Sequence, residues 1–182
     1  MIGLLAFRGF FSDFSKMPPR PAFAMFLPLP VILMIAFSQK GSELLKAVPP
    51  HWLIGMQSFR ILVEIVLWRA FLQNLLPIQM TFEGYNFDAL SGILAIPFAM
   101  IIKKKGAPVF SLAYNIIGLL LLLNILVIAI VSMPTPLRYF MNEPSNTLIG
   151  EFSFIYLPAV LIVIAYGLHI FSLRQIWLLR KK

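Results

Sequence analysis

Apolar residues occur along this chain in long, nearly continuous runs that short polar stretches separate. A transmembrane helix needs about 20 mostly apolar residues, with a range of about 17–25. Four runs meet this requirement, and a fifth is shorter but ends in three lysines whose alkyl stems can reach the membrane interface. The runs are Ala22–Ser38, Trp52–Leu72, Asp88–Ile102, Phe110–Ser132 and Phe152–Leu173. The pattern predicts an all-α fold, a polytopic transmembrane helical bundle of about five spans that forms a single integral membrane domain over residues 1–182.

The composition indicates the same class of protein. Hydrophobic residues make up 60% of the 182 residues and charged residues 12%, and the mean hydropathy is +0.89. Soluble domains carry about 45–50% apolar and about 25% charged residues, so a water-soluble globule is excluded. The absence of cysteine from the sequence excludes disulfides, thiolate metal sites and cysteine nucleophiles.

The distribution of charge predicts the orientation. The formal net charge is +8, and most lysines and arginines lie in the loops around residues 39–51 and 103–109 and in the C-terminal tail, which ends in Lys181 and Lys182. Cytoplasmic loops carry an excess of Lys and Arg, so we expect a cytoplasmic C-terminus and contact with anionic lipids at the cytoplasmic face. Because the basic charge belongs to loops and tail, no nucleic acid partner is expected.

The N-terminal segment does not follow this charge rule. Five spans would place residues 1–21 outside, yet the segment carries three basic residues against a single acid, Asp13. Two interpretations stay open: the first span tolerates these charges, or the run Ala22–Ser38, with its two prolines, is re-entrant or interfacial. The segment 1–21 could itself form an interfacial helix or be the remnant of a further span, so four, five and six spans are all considered.

The strongest chemical signal lies on the second predicted span. Gln57, Arg60 and Glu64 are spaced i, i+3 and i+7, so they share one helix face. A charge at the bilayer centre costs about 2.5–3.5 kcal/mol on insertion scales, and such residues usually face a bundle interior or a wet cavity. Two interpretations are equally good: a ligand, ion or proton site, or a structural ion pair between Arg60 and Glu64 that locks helix packing.

The fourth and fifth predicted spans add Asn115, Asn124, Tyr166 and His169. A histidine can relay protons, because its ordinary pKa is near 6.5, or simply hydrogen-bond a neighbouring helix. Asparagines within spans often join helices. We expect a single polar cavity between spans two, four and five that contains these four residues together with the three on span two. That expectation fails if Arg60 and His169 face different environments.

A second candidate site lies in the loops predicted to be outside. Glu83, Asn86 and Asp88, with Glu143, could bind a cation through oxygen atoms. Ordinary turn and cap chemistry is the alternative, with Asp88 as the N-cap of the third span. We find no H-E-x-x-H, G-x-S-x-G or P-loop motif, so no catalytic residue, metal or cofactor is predicted.

Several strings resemble a family of small, uncharacterised bacterial integral membrane proteins. They are Gln57 to Glu64 (QSFRILVE), Pro77 to Asp88 (PIQMTFEGYNFD) and His169 to Gln175 (HIFSLRQ). The resemblance covers about residues 17–175 and implies a multi-pass protein of the bacterial inner (cytoplasmic) membrane, without implying an activity. Members of that family often begin with a longer apolar N-terminus than this chain has.

Two classes of function follow from these residues. The first is binding or transport of a small molecule or ion, in which Arg60 holds an anionic group or a partner carboxylate. Glu64 would then titrate, and His169 with Tyr166 would relay protons. The second is a non-catalytic membrane subunit or assembly factor, whose polar helix face packs on another membrane protein or on a second copy of the chain. An enzyme acting on lipid or quinone within the membrane ranks last, because no catalytic motif supports it.

Overall fold

The computed structural model describes residues 1–106 and 108–180, and within them all regular structure is helical, as predicted. The α-helices are α1 (Ile2–Phe7), α2 (Arg20–Phe26), α3 (Leu29–Phe37), α4 (Gln39–Ala47), α5 (Pro50–Gly55), α6 (Phe59–Leu72), α7 (Asp88–Lys105), α8 (Pro108–Val131) and α9 (Ile162–Arg180). A 3-10 turn, Met56–Ser58, joins α5 to α6, and a π-helical turn, Leu157–Leu161, leads into α9. Lys181 and Lys182 of the basic tail lie outside the described residues.

Three helical stretches in the described part of the chain are long and apolar enough to cross a membrane. They are Arg20–Phe37, Pro108–Val131 and Leu157–Arg180. These stretches indicate a membrane protein. The other two predicted spans are more polar, because the 14-residue α6 contains three charged side chains and the 18-residue α7 carries one acid and three lysines. By length and composition alone, the number five is therefore not confirmed.

The helices differ in several places from the predicted apolar runs. The first run is interrupted between α2 and α3, where Pro28 lacks the N–H that would continue the helical hydrogen bonds. The last run was placed too early, since regular helix begins at Leu157 and continues to Arg180. The predicted loop 39–51 contains α4, whose first turn is capped by Ser38: its Oγ accepts the Gly41 N–H at 3.0 Å.

The helices pack around α7, α8 and α9. Helix α7 contacts α5, α6 and α8, and α9 contacts α8 as well as α2 to α5. A glycine permits the close approach of α6 and α7, because a Cβ at Gly92 would lie 2.8 Å from Cγ1 of Ile61 and 2.9 Å from its backbone nitrogen. Large apolar side chains such as Leu62, Ile93 and Leu120 point outward, as expected of helices that face lipid.

The connecting segments gather at two ends of the bundle. At the first, here called the loop end, segments 73–87 and 132–156 meet. Gln79 Nε2 donates to Ser132 Oγ at 3.1 Å, and the rings of Tyr85 and Phe140 stack with centroids 5.7 Å apart. At the other, here called the lysine end, α4 lies against the last turns of α9, and Gln175 Nε2 donates to the Leu45 carbonyl at 2.5 Å.

Candidate functional site

Arg60 lies at the centre of the candidate site and is 1% exposed. Its Nε donates to Asp88 Oδ2 at 2.7 Å, and its Nη2 donates to the other oxygen of the same carboxylate, so the pair is bidentate. Its Nη1 donates to Ser91 Oγ at 2.7 Å and to the Gly118 carbonyl at 3.3 Å. The counter-charge of Arg60 is therefore Asp88 at the start of α7, and not Glu64 one turn further along α6.

His169 extends this network across α9 to α8. Its Nε2 lies 3.3 Å from Arg60 Nη1. A guanidinium only donates hydrogen bonds, so Nε2 accepts and Nδ1 carries the hydrogen. That hydrogen is donated to Asn115 Oδ1 at 2.8 Å, and Asn115 Nδ2 donates onward to Ser172 Oγ at 2.8 Å. Arg60 and His169 thus share one environment, in which the imidazole is a neutral tautomer fixed by its two neighbours.

Glu64 is bound on one side only. Its Oε1 accepts a hydrogen bond from Asn86 Nδ2, whereas its Oε2 is buried and has no hydrogen-bond partner among the described residues. Asn86 also accepts the Asp88 N–H at 3.0 Å through Oδ1 and donates to the Met80 carbonyl at 3.0 Å. The prediction that Asp88 is an N-cap was wrong: its carboxylate is bound to Arg60, and the side chain of Asn86 takes up its backbone N–H.

A cavity of about 60 Å³ lies beside these groups. Arg60, Glu64 and Asp88 contribute to its wall, and the rest of the wall is apolar, with side chains from α2, α6, α8 and α9 such as Met25 and Leu122. One water needs about 10–15 Å³ of such space, so the cavity has room for a small ion or a few waters. The sequence predicted a polar cavity, whereas the cavity in the structure is mostly apolar and has three charged residues in its wall, Arg60, Glu64 and Asp88.

Three of the predicted site residues make contacts other than those expected. Gln57 Nε2 donates to the Ala165 carbonyl at 3.0 Å, which joins α9 close to the cavity. Tyr166 donates to the Met25 carbonyl at 3.2 Å, away from His169, and Asn124 donates to the Tyr85 carbonyl at 2.7 Å at the loop end. Of the seven residues that were predicted to share one cavity, Arg60 and Glu64 line this one and the other five do not. Tyr166 and Asn124 point from their helices toward other segments.

The acids of the predicted outer cation site are bound to separate partners. Glu83 accepts the Trp68 Nε1–H at 2.8 Å, and Glu143 accepts from Arg138 Nη2 at 2.9 Å. The hydrogen bond from Arg138, together with one from the Ser145 N–H, lowers the pKa of Glu143 below its ordinary value. Within residues 1–106 and 108–180, no group of three or more His, Cys, Asp or Glu side chains is placed to hold a metal ion.

Sequence reasoning missed several members of the network. Tyr114 donates to the Ser91 carbonyl at 3.1 Å, and its ring stacks on His169 with centroids 5.9 Å apart. A Cβ at Gly118 would lie 2.5 Å from His169 Cε1, so only glycine leaves room for the imidazole. Spacing was the available signal: Ser91 follows Asp88 by three positions, and Gly118 follows Tyr114 by four, which places each pair on one helix face.

Comparison of the chain with models of protein families, with curated proteins and with solved structures gives no match. Information on the function therefore comes from the site itself. Its main members, Arg60, Glu64, Asn86, Asp88 and His169, all belong to the strings on which the family resemblance was based.

Proposed function

We propose that this chain is a multi-pass membrane protein that binds a small cation at Glu64 and transports it across the membrane, the cation being a proton, a metal ion or a small amine. The observation that carries the proposal is Glu64 itself: the residue is 2% exposed and lines the cavity, and its Oε2 is buried without a hydrogen-bond partner among the described residues. A carboxylate in such a position is costly unless a charge or a hydrogen-bond donor meets it.

The charges of the site select a cation over an anion. Every nitrogen of the Arg60 guanidinium already has a partner, so an anionic ligand would find no unused donor there. The charge of Asp88 is balanced by Arg60. Glu64 is then the one charge of this cluster without a counter-ion within 4.0 Å among the described residues. A bound cation or proton supplies the missing charge.

We test binding by following the thermal stability of the detergent-purified chain across pH and in the presence of alkali cations, divalent cations and small amines. The key variant is Glu64→Gln, and the matched control is Glu83→Gln, which removes the same charge from an exposed residue. A cation or pH change that shifts the melting temperature of wild type and control but not of Glu64→Gln supports the proposal. Equal responses in all three proteins contradict it.

Transport is tested separately in proteoliposomes with a pH-sensitive or cation-sensitive dye inside. We expect flux in the wild type and in Glu83→Gln, and none in Glu64→Gln. Flux that is the same in Glu64→Gln as in the wild type would rule out Glu64 as the transported ion's site. Binding without flux in the wild type would limit the function to binding.

The proposal also includes the topology: the chain crosses a bacterial inner membrane five times, and its C-terminus lies on the cytoplasmic side. Helix α7 runs beside α8 from the loop end to the lysine end, and its 18 residues span about 27 Å at 1.5 Å per residue. That length is close to the hydrocarbon thickness of about 30 Å. The contacts between segments 73–87 and 132–156 support the same arrangement, because both segments then lie on one side of the membrane.

Single-cysteine labelling tests the number of spans, since the chain has no cysteine of its own. Five spans place Tyr85→Cys and Lys104→Cys on opposite sides of the membrane, with Lys104→Cys on the cytoplasmic side. If only the three most apolar stretches cross, both cysteines are labelled from the same side. Tyr139→Cys lies opposite Lys104→Cys in either case and serves as the reference.

The alternative function as a non-catalytic subunit loses its main support. It required the polar face of the second span to pack on a partner, but Gln57, Arg60 and Glu64 are at most 2% exposed and bind groups of their own chain. Obligate co-purification of another membrane protein with the chain would restore this alternative.

A further inference from the structure

A second feature of the molecule lies at the lysine end, where a groove separates α3 from the last turns of α9. Its volume is about 690 Å³. Its walls are apolar except for one cation, and they are formed by Leu33, Phe37, Ile170, Leu173, Arg174 and Trp177. None of these groove residues belongs to the Arg60 network, although two members of that network, His169 and Ser172, lie on the same helix α9.

Arg174 is held in this groove by aromatic rings and not by an acid. Its guanidinium carbon lies 4.8 Å from the centroid of the Phe37 ring and 4.4 Å from that of Trp177. Its Nη2 donates to Ser42 Oγ at 3.4 Å, and its Nε has no hydrogen-bond partner in the described part of the chain. No carboxylate of that part lies within 4.0 Å. Arg174 is therefore an oriented cation with unused donors and no counter-charge.

We propose that this groove binds an anionic phospholipid, with an acyl chain along its apolar wall and the headgroup phosphate on Arg174. The planar fork of a guanidinium matches two phosphate oxygens at once. Because Arg174 is held by ring contacts and by one hydroxyl rather than by an acid, its charge remains for the phosphate. The walls formed by Leu33 and Ile170 offer no hydrogen-bonding side chain to a free phosphate, whereas they can pack against the acyl chain of a lipid.

The position of the groove fits a lipid headgroup. Trp177 is exposed on the same wall, and tryptophan is enriched where helices cross the membrane–water interface. The lysine end also carries Lys40, Lys46 and the three lysines at the end of α7, which draw anionic lipid to this side. A zwitterionic lipid would bring a phosphate but would leave the charge of Arg174 uncompensated, so the charge favours an anionic headgroup.

The experiment titrates the full-length chain in detergent with phosphatidylglycerol or phosphatidylcholine of identical acyl chains and counts bound lipids by native mass spectrometry. We expect one phosphatidylglycerol to bind more tightly than phosphatidylcholine. In Arg174→Gln the affinity for that lipid should fall at least about tenfold, which corresponds to about 1.4 kcal/mol. The matched control is Arg180→Gln, which removes the same charge from the exposed end of the same helix; it should weaken binding by no more than about fivefold, the share of one surface charge near anionic lipid.

A second variant keeps the test valid if Arg174→Gln does not fold. Leu33→Trp fills the groove without touching the charge and should also remove the tightly bound lipid. Equal binding of the two lipids, or equal losses in Arg174→Gln and Arg180→Gln, would overturn the proposal. A dimer that Leu33→Trp converts to a monomer without changing lipid binding would show that a second copy occupies the groove. None of these outcomes depends on Glu64, so this proposal can fail while the proposed cation site stands, and the reverse.

Discussion

The pairing of Arg60 can be tested with two substitutions of the same chemical kind. Asp88→Asn and Glu64→Gln each replace a carboxylate by an amide of nearly identical shape. If Arg60 paired with Glu64 along α6, as the sequence alone allows, Glu64→Gln would be the more damaging. The structure places the carboxylate of Asp88 on Arg60, so we expect the opposite order, with Asp88→Asn far more destabilising.

The structure gives the size of this difference. Asp88→Asn leaves the Arg60 cation buried at 1% exposure without a counter-charge, and breaking a buried ion pair in this way costs about 3–5 kcal/mol. A chain of this size loses about 2–4 °C of melting temperature per kcal/mol, so we expect a decrease of about 6–20 °C. Glu64→Gln keeps the oxygen that accepts from Asn86, and its cost should stay near the value of one ordinary hydrogen bond, about 1 kcal/mol.

Thermal unfolding of the two variants in the same detergent, followed by tryptophan fluorescence or by loss of the monodisperse peak, measures both effects. The double variant Arg60→Gln with Asp88→Asn should recover part of the stability, because it removes the uncompensated charge. Equal losses from the two single variants, or a larger loss from Glu64→Gln, would refute the assignment of Asp88 as the partner of Arg60.

Three further predictions concern other contacts. Gly118→Ala should destabilise the chain by about 1–3 kcal/mol, because the added Cβ would overpack against the His169 ring. Gly55→Ala is the control and should not destabilise the chain, since the nearest atom to its Cβ is 3.5 Å away. Similar melting temperatures of the two variants would contradict this prediction. The pKa of Glu143 should rise toward its ordinary value in Arg138→Gln, while the Ser145 N–H continues to lower it; carbon NMR of the carboxyl group measures this rise. A lowered pKa in the folded state stabilises the fold at pH values above the unfolded-state pKa, and this contribution disappears as pH falls through the folded-state pKa. An unchanged titration of Glu143 in Arg138→Gln would show that Arg138 does not cause the lowered pKa. Gln175→Leu should speed amide exchange in α4, because it removes donors from two carbonyls that precede α5, and unchanged exchange would contradict that role.

The membrane class and the polar face of α6 could be predicted because each depends on local properties. Long apolar runs are unfavourable in water, so they predict a membrane protein. The spacing of Gln57, Arg60 and Glu64 places these residues on one face of any α-helix. The contact between Arg60 and His169 was predicted by the same argument, because polar groups within a membrane span are costly unless they bind one another. Helix α4 was missed because its nine residues are too few and too polar to be read as a span.

The pairing of charges could not be predicted, because it depends on tertiary distance. Glu64 lies four positions from Arg60 and Asp88 lies 28 positions away, so sequence separation favours the wrong acid. The chain between them turns back at the loop end, which brings the start of α7 against the first turn of α6. The same turn explains why the predicted outer cation site is not assembled. Two of its predicted ligands, Asn86 and Asp88, are buried in the bundle.

This geometry separates two roles that the sequence placed on one pair of residues. Arg60 and Asp88 satisfy each other and join α6 to α7, so their removal should affect stability first. Glu64 is joined through Asn86 to the segment before α7, the residue lines the cavity, and its second oxygen has no hydrogen-bond partner among the described residues. A cation that binds this oxygen would change the charge on the group that Asn86 holds, and Asn86 also fixes the first backbone N–H of α7. If the proposed cation binds Glu64, its binding would therefore be coupled, through the side chain of Asn86, to the segment 73–87 that precedes α7.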